Sequence, residues 1–272
     1  MSRVLRYLAL LQKYLQEICG MGACCLWPAA GAHGELAGMM VIRKAVDERG
    51  GNRRKVLVPD TAHGTNPASC TIAGFETVNI PSGPEGFLKA STLKEHLDGD
   101  TAALMITNPN TLGIFEQEIR EIAEALHANG SYLYMDGANL NALLGVARPG
   151  DMGVDCMHVN LHKTFATPHG GGGPGSGPVL VRKDLAPYLP LPQITQDESG
   201  SYVLSDTHGA SVGRVHGCLG NVSVCLKALA YILSLGPEGL SSVSKTACLN
   251  ANYLKSRLKK LFDLPYATPT LH

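Results

Sequence analysis

The sequence predicts an α/β protein with a mostly parallel central sheet, and three observations predict it. Short apolar runs alternate with stretches of helical period along most of the 272 residues. The runs are too short to be helices and are bounded by glycine, proline and asparagine, as strands are. Four residues with chemistry to offer, His63, Asn108, Asp136 and Lys163, each stand just after such a run. Ligands of open α/β sheets bind at that edge, outside the carboxyl ends of the strands.

The elements follow in order. Val4, Leu8, Leu11, Leu15 and Ile18 recur at helical spacing and predict an amphipathic helix ending at Gly20. The start faintly suggests a signal peptide, but Gln12 and Lys13 interrupt it and no cleavage site follows. A second helix spans 31–51, entered through a small-residue loop and stopped by Gly50-Gly51. A strand at 55–59 leads to a helix that Asn66 can cap, with Pro67 in its first turn. A strand at 77–80, a helix at 91–97 and a buried strand at 102–106 come next, followed by the turn TNPNTLG. The stretch 116–128 is an amphipathic helix (Ile119, Ile122, Leu126) closed by Gly130. Strands at 131–135, 155–159 and 178–182 and helices at 222–235 and 237–262 complete the chain.

Composition sets the boundaries. A hydrophobic content of 44% and a charged content of 17% fit a globular protein with one large core and room for a partial second. Lys+Arg and Asp+Glu are both 23, which argues against nucleic acid or an anionic membrane as main partner. No apolar run approaches the ~18 residues of a spanning helix. The eight cysteines form no CxxC pair and no HExxH occurs, so they read as reduced buried thiols and no metal site is expected.

The chemistry concentrates between 155 and 181, DCMHVNLHKTFATPHGGGGPGSGPVLV. A lysine at a buried strand end can have the depressed pKa that a Schiff-base nucleophile needs. Lys163 can therefore form a Schiff base with pyridoxal phosphate. Asp136 lies 27 residues earlier, one helix-and-strand excursion away, so both emerge at one sheet edge. A carboxylate there could hold the proton of a pyridinium nitrogen, or it could cap a following turn. GAHGE (31–35) offers unpaired amides at a helix start, suited to a phosphate. His63 and Ala138 could cover the two faces of a flat ring. Gly170, Gly172 and Gly175 spell G-x-G-x-x-G, but a strand and not a helix follows, which excludes a dinucleotide site. The glycines read instead as backbone close to a ligand, or as a hairpin.

NLHKTFATPHGGGGPGSGP, whose LHKTF…PHGGGG block is highly specific, together with AHGTNPAS, AGAHGELAG, TNPNTLGIFE and YMDGANLNA, resembles the glycine decarboxylase P-protein, with the motifs in family order along the chain. The resemblance is closer to the second subunit of its two-chain bacterial form and covers nearly the whole chain. It implies the fold-type I pyridoxal-phosphate architecture of the aspartate aminotransferase superfamily. A large cofactor domain would span 1–235 and a small C-terminal domain would begin at 236–272. It implies Lys163 as the cofactor lysine, Asp136 at the pyridine nitrogen, His63 and Ala138 on the ring faces, and Gly31, Ala32 and His33 at the phosphate. Thr107 and Asn108 fall where a partner for the ring hydroxyl is expected, and His162 and His169 are candidates for proton transfer. The implied reaction decarboxylates glycine and passes the aminomethyl group to the lipoyl disulfide of the H-protein. The other P-protein subunit would be a partner in a cytoplasmic heterotetramer. Family subunits are longer at both ends, so the chain reads as truncated. Another pyridoxal-phosphate decarboxylase or lyase, or a non-catalytic truncated subunit, are the alternatives.

Overall fold

The computed structural model describes residues 2–167, 169, 173–207, 209–266 and 272. The chain opens with helix α1 (Ser2–Cys19), strand β1 (Ala23–Cys25) and helix α2 (Gly31–Glu48). There follow β2 (Lys55–Pro59), α3 (Thr65–Ile72), β3 (Glu76–Ile80), α4 (Ala90–His96), β4 (Thr101–Thr107), α5 (Ile119–Ala128) and β5 (Tyr132–Gly137). Next come β6 (Cys156–Val159), the single turn α6 (Leu161–Thr164) and β7 (Val179–Val181). The chain closes with β8 (Gln193–Gln196), β9 (Tyr202–Ser205) and α7 (Val222–Leu258).

Seven strands form one sheet in the order β1-β7-β6-β5-β4-β2-β3, and β8 and β9 form a separate hairpin. The ladder from β6 through β5, β4 and β2 to β3 is parallel, while β7 runs antiparallel to both of its neighbours, β6 and β1. Every residue of β4 and β5 is buried. That is why these strands read as continuous apolar runs: both faces of a parallel sheet are covered by helices. Each fully buried Leu, Ile or Met in the core contributes roughly 1.5–3 kcal/mol.

Several boundaries moved, each for a physical reason. On α1 the buried face is carried by Leu5, Leu8, Leu11 and Leu15, and Val4 points outward at 39% exposure. Helix α5 begins at Ile119 because Glu116 is drawn inward, where its carboxylate accepts the Leu88 N–H and the Asn110 amide. Asn66 does not cap α3, whose N-cap is Gly64. Its amide is buried and donates to two carboxylates instead. A buried carboxylate without donors costs more than an uncapped helix end. The last two helices part where expected, at Gly236, whose backbone (φ 62°, ψ −175°) is not helical, so α7 is two helices across a break, and the second stops at Leu258 instead of 262. The strand β1 and the hairpin β8–β9 are additions to the reading from sequence.

Candidate active site

Because β2, β4, β5 and β6 are parallel, their carboxyl ends meet at one edge. A cavity of about 380 Å³ opens there. Its lining comes from five directions: Gly31, Ala32 and Glu35 from the start of α2, and His63 and Thr65 after β2. Thr107 ends β4 and Thr111 follows it, while Asp136 lies at the end of β5 and Ala138 and Asn139 follow it. Asn160, His162 and Lys163 follow β6. A larger hollow of about 620 Å³ lies against Arg3, Arg6 and Lys13 of α1, away from these strand ends.

The strand register sets the cavity floor. Thr107 pairs with Asp136, and Asp136 pairs with His158, so the three stand in a row across β4, β5 and β6. Asp136 is only 2% exposed. Its Oδ2 accepts from the Asn66 amide at 2.9 Å, and Oδ1 accepts the Ala138 N–H at 2.9 Å. The same Asn66 amide donates to buried Glu35 at 3.0 Å, and the Thr65 hydroxyl donates to the other oxygen of Glu35 at 2.9 Å. His63 Nδ1 lies 2.7 Å from that hydroxyl. Two buried carboxylates thus share one neutral amide. Among the described residues neither pairs with an arginine or a lysine. Buried anions need compensating positive charge, so the floor suits a cationic ligand.

Helix α2 aims its first turn at the same cavity. Ala30 is its N-cap and makes no side-chain hydrogen bond, which leaves first-turn N–H groups for a ligand. The helix sits close because Gly34 and Gly38 admit it: a Cβ on Gly38 would stand 2.5 Å from the Tyr134 ring, and one on Gly34 would stand 3.0 Å from the His158 Cβ. Gly31 in turn abuts the Asn160 amide.

The opposite wall is more open. Lys163 is exposed within the short α6, and His162 is half-buried. His162 Nδ1 accepts the Ser176 N–H at 3.2 Å, and its Nε2 faces the Asn160 amide nitrogen at 3.5 Å. Burial, then the neighbouring His169 and Lys163, hold the His162 pKa below its ordinary value. The rings of His162 and His169 stand edge-on with centroids 4.1 Å apart.

Of the residues singled out from sequence, Gly31, Ala32, His63, Thr107, Asp136, Ala138, His162 and Lys163 line the cavity together. Three do not. The buried Asn108 accepts the Glu116 N–H behind the wall. His33 turns back to accept the Ala29 N–H, and its ring faces His216. His169 packs behind His162, where its Nδ1 meets the Gly173 carbonyl oxygen at 2.7 Å. Gly170 and Gly172 lie outside the described residues, while Gly175 packs against both histidines. Sequence reasoning missed Glu35, Thr65, Asn66, His158 and Asn160. The spacing Gly31, Gly34, Gly38 along one helical face was the available signal for the close approach of α2.

The donor set fits pyridoxal phosphate: a carboxylate short of positive charge, an amine across from it, and free helix amides for a dianion. Residues 5–268 match the family model described as glycine cleavage system P-protein. The chain is 56% identical over 265 residues to the probable glycine dehydrogenase (decarboxylating) subunit 2 of Chloroherpeton thalassium, covering 96% of this chain and 54% of that protein. It is 53% identical over 263 residues to the protein of that description from Bacillus licheniformis, with the same coverage. The chain therefore spans about half the length of the curated relatives it matches. Among solved structures, a glycine decarboxylase (P-protein) in inhibitor-bound form superposes with a TM-score of 0.81 at 22% identity, over 100% of this chain and 62% of that one. The Oryza sativa TDC structure with PLP and tryptamine follows at 0.70 and 15% identity, over 95% and 57%. At such identities the two structures speak for the fold, which is that of fold-type I pyridoxal-phosphate enzymes.

Proposed function

The chain belongs to the glycine cleavage system P-protein family, and from that premise we propose that it is the cofactor-bearing part of a glycine dehydrogenase (decarboxylating) subunit 2. The observation that carries this reading is the shared cavity. Lys163 and Asp136 reach it from adjacent parallel strands, with the amide end of α2 at its rim.

Pyridoxal phosphate bound there supplies an electron sink for the carbon that loses carbon dioxide. The protein's own part is to hold and orient it. The Lys163 amine is placed to hold the cofactor covalently, as its exposure at the cavity lip allows. Asp136 keeps a proton on the ring nitrogen, since its carboxylate is buried and fixed by two donors. The first-turn amides at Gly31 and Ala32 receive the phosphate. His63 and Ala138 bound the ring faces, and Thr107 stands on the side of the ring hydroxyl. Asn108, His33 and His169 do not line the cavity and are given no direct part in holding the cofactor. His162, whose pKa is held below its ordinary value by burial and then by the neighbouring His169 and Lys163, is the candidate for proton transfer next to Lys163.

Glycine as substrate, the lipoyl group of the H-protein as acceptor of the aminomethyl group, and the other P-protein subunit as partner in a heterotetramer belong to this same reading. So do a cytoplasmic location and a division into a cofactor domain (1–235) and the start of a small domain (236–272). No helix among the described residues is long and apolar enough to cross a membrane.

Titration of the chain with pyridoxal phosphate tests the site: a visible absorbance band is expected for the wild type and none for Lys163→Ala. Exchange of labelled bicarbonate into glycine, in the presence of lipoyl H-protein and the partner subunit, tests the reaction. A band without exchange would favour a different pyridoxal-phosphate decarboxylase or lyase. Binding of the partner subunit with no band would favour a non-catalytic role.

A further inference from the structure

Beneath Asp136 lies a second layer of polar side chains that the proposed chemistry does not use. Tyr134 and His158 are fully buried within β5 and β6, on the face covered by α2. The Tyr134 hydroxyl lies 2.8 Å from His158 Nδ1, and no other partner for it is found among the described residues. With no other acceptor for its hydrogen among the described residues, the Tyr134 hydroxyl donates to Nδ1, and burial, which pushes the phenol well above its ordinary pKa, keeps it protonated. A ring nitrogen that accepts is unprotonated, so the hydrogen of a neutral His158 sits on Nε2. Nε2 stands 3.4 Å from Asp136 Oδ1. It is a buried ring nitrogen with no hydrogen-bond partner among the described residues, and the Asp136 contact is longer than an ordinary N–H···O bond. A Glu35 oxygen, an Asp136 oxygen and a His158 nitrogen all lie within 4.8 Å of one another. The carboxylate of Asp136 is therefore approached from three sides by protein donors: Asn66, Ala138 and His158.

We propose that Tyr134 and His158 form a positioning relay behind Asp136, in which the tyrosine hydroxyl fixes the histidine tautomer and Nε2–H holds the carboxylate oriented toward the ring nitrogen of the cofactor. The relay resembles in logic the metal-binding histidines whose outer partner sets their tautomer. It acts through Asp136 and touches neither cofactor nor substrate. Its effect on cofactor binding rests on the proposed pyridoxal-phosphate site. The hydrogen-bond order itself does not.

Nitrogen-15 NMR of the histidines in the cofactor-free chain decides the hydrogen-bond order. The Nε2–H tautomer of His158 is expected, with Tyr134→Phe shifting it toward the other. A dominant Nδ1–H tautomer in the wild type would overturn the proposal. Cofactor affinity, read from the absorbance titration, decides the role. His158→Leu should weaken it about tenfold. His158→Gln, whose amide can present a donor near the Nε2 position, should restore it to within about twofold of wild type. Equal losses in the two variants would mean that His158 only fills space. Should His158→Leu fail to fold, Tyr134→Phe gives the same reading at about fivefold, and an unchanged affinity there would overturn the relay. If the wild type takes up no pyridoxal phosphate, the proposed function fails, and the tautomer measurement still stands on its own.

Discussion

Two buried aspartates flank the central strands, and they are satisfied in opposite ways. Asp155 sits just before β6 and is 1% exposed. It accepts the Leu133 N–H, pairs with Arg182, and meets His127 Nε2 at 3.0 Å. Its charge is answered by the protein itself. Asp136, at the far end of the neighbouring strand, has an amide, a backbone N–H and one histidine nitrogen at the edge of reach, with a second carboxylate alongside. An internally paired charge serves the fold. A buried charge left short of a cation, in a cavity open to ligands, is the mark of a site.

Several substitutions would break or sharpen that contrast. The largest effect is expected at the other wall of the cavity, where Lys163→Ala removes the cofactor absorbance altogether while leaving the unfolding transition in place. Asp155→Ala should cost about 3–5 kcal/mol in denaturant unfolding, because Arg182 and the Leu133 N–H lose their partner. A small loss there would mean that the two aspartates are alike. Asp136→Asn should invert the pattern. Cofactor affinity should fall about a hundredfold, the worth of a hydrogen bond between charged groups, whereas stability without cofactor should move by less than about 1 kcal/mol.

A third buried carboxylate extends the comparison. Glu116 meets only neutral donors, and burial pushes its pKa up to about 7 from 4.5. Between those values the folded chain holds a proton that the unfolded chain lacks, so stability is lost as pH rises through that window. Glu116→Gln should flatten this part of the stability profile relative to wild type. The smallest effect belongs to His162, whose pKa is lowered from 6.5. Here the unfolded chain binds more protons, so the contribution is present above about 6.5 and is lost as pH falls below it. His162→Gln should remove that slope, and an unchanged profile would mean that the ring is solvated in the fold.

Much of this was legible in the sequence, and the exceptions share a cause. Runs such as 102–106 betray themselves because a parallel strand covered on both faces must be apolar. Strand-end residues such as Asp136 and Lys163 betray themselves because topology, not contact, places them. β1 escaped because three residues make no pattern, and the hairpin β8–β9 because it is only half-buried. Glu35, Asn66 and His158 escaped for a deeper reason. A buried polar side chain is recognisable only by its partner, and Glu35 finds Asn66 across 31 residues while Asn66 finds Asp136 across 70. Asn66 was misread as a helix cap because local spacing carries no trace of a carboxylate that the fold brings in.

The cysteines have a practical consequence. Of the eight, Cys19, Cys24, Cys25, Cys70, Cys156 and Cys225 are buried, Cys248 is partly covered, and Cys218 is exposed. Burial pushes the thiols of Cys19, Cys25 and Cys70 up to about 12, far from the reactive thiolate. A maleimide dye should therefore couple first at Cys218. His216, bonded to the backbone of Cys218, has its ring centroid 5.7 Å from that of His33 on α2. The native sequence thus supplies an optical reporter beside the helix whose amides face the cavity, with no engineered cysteine needed.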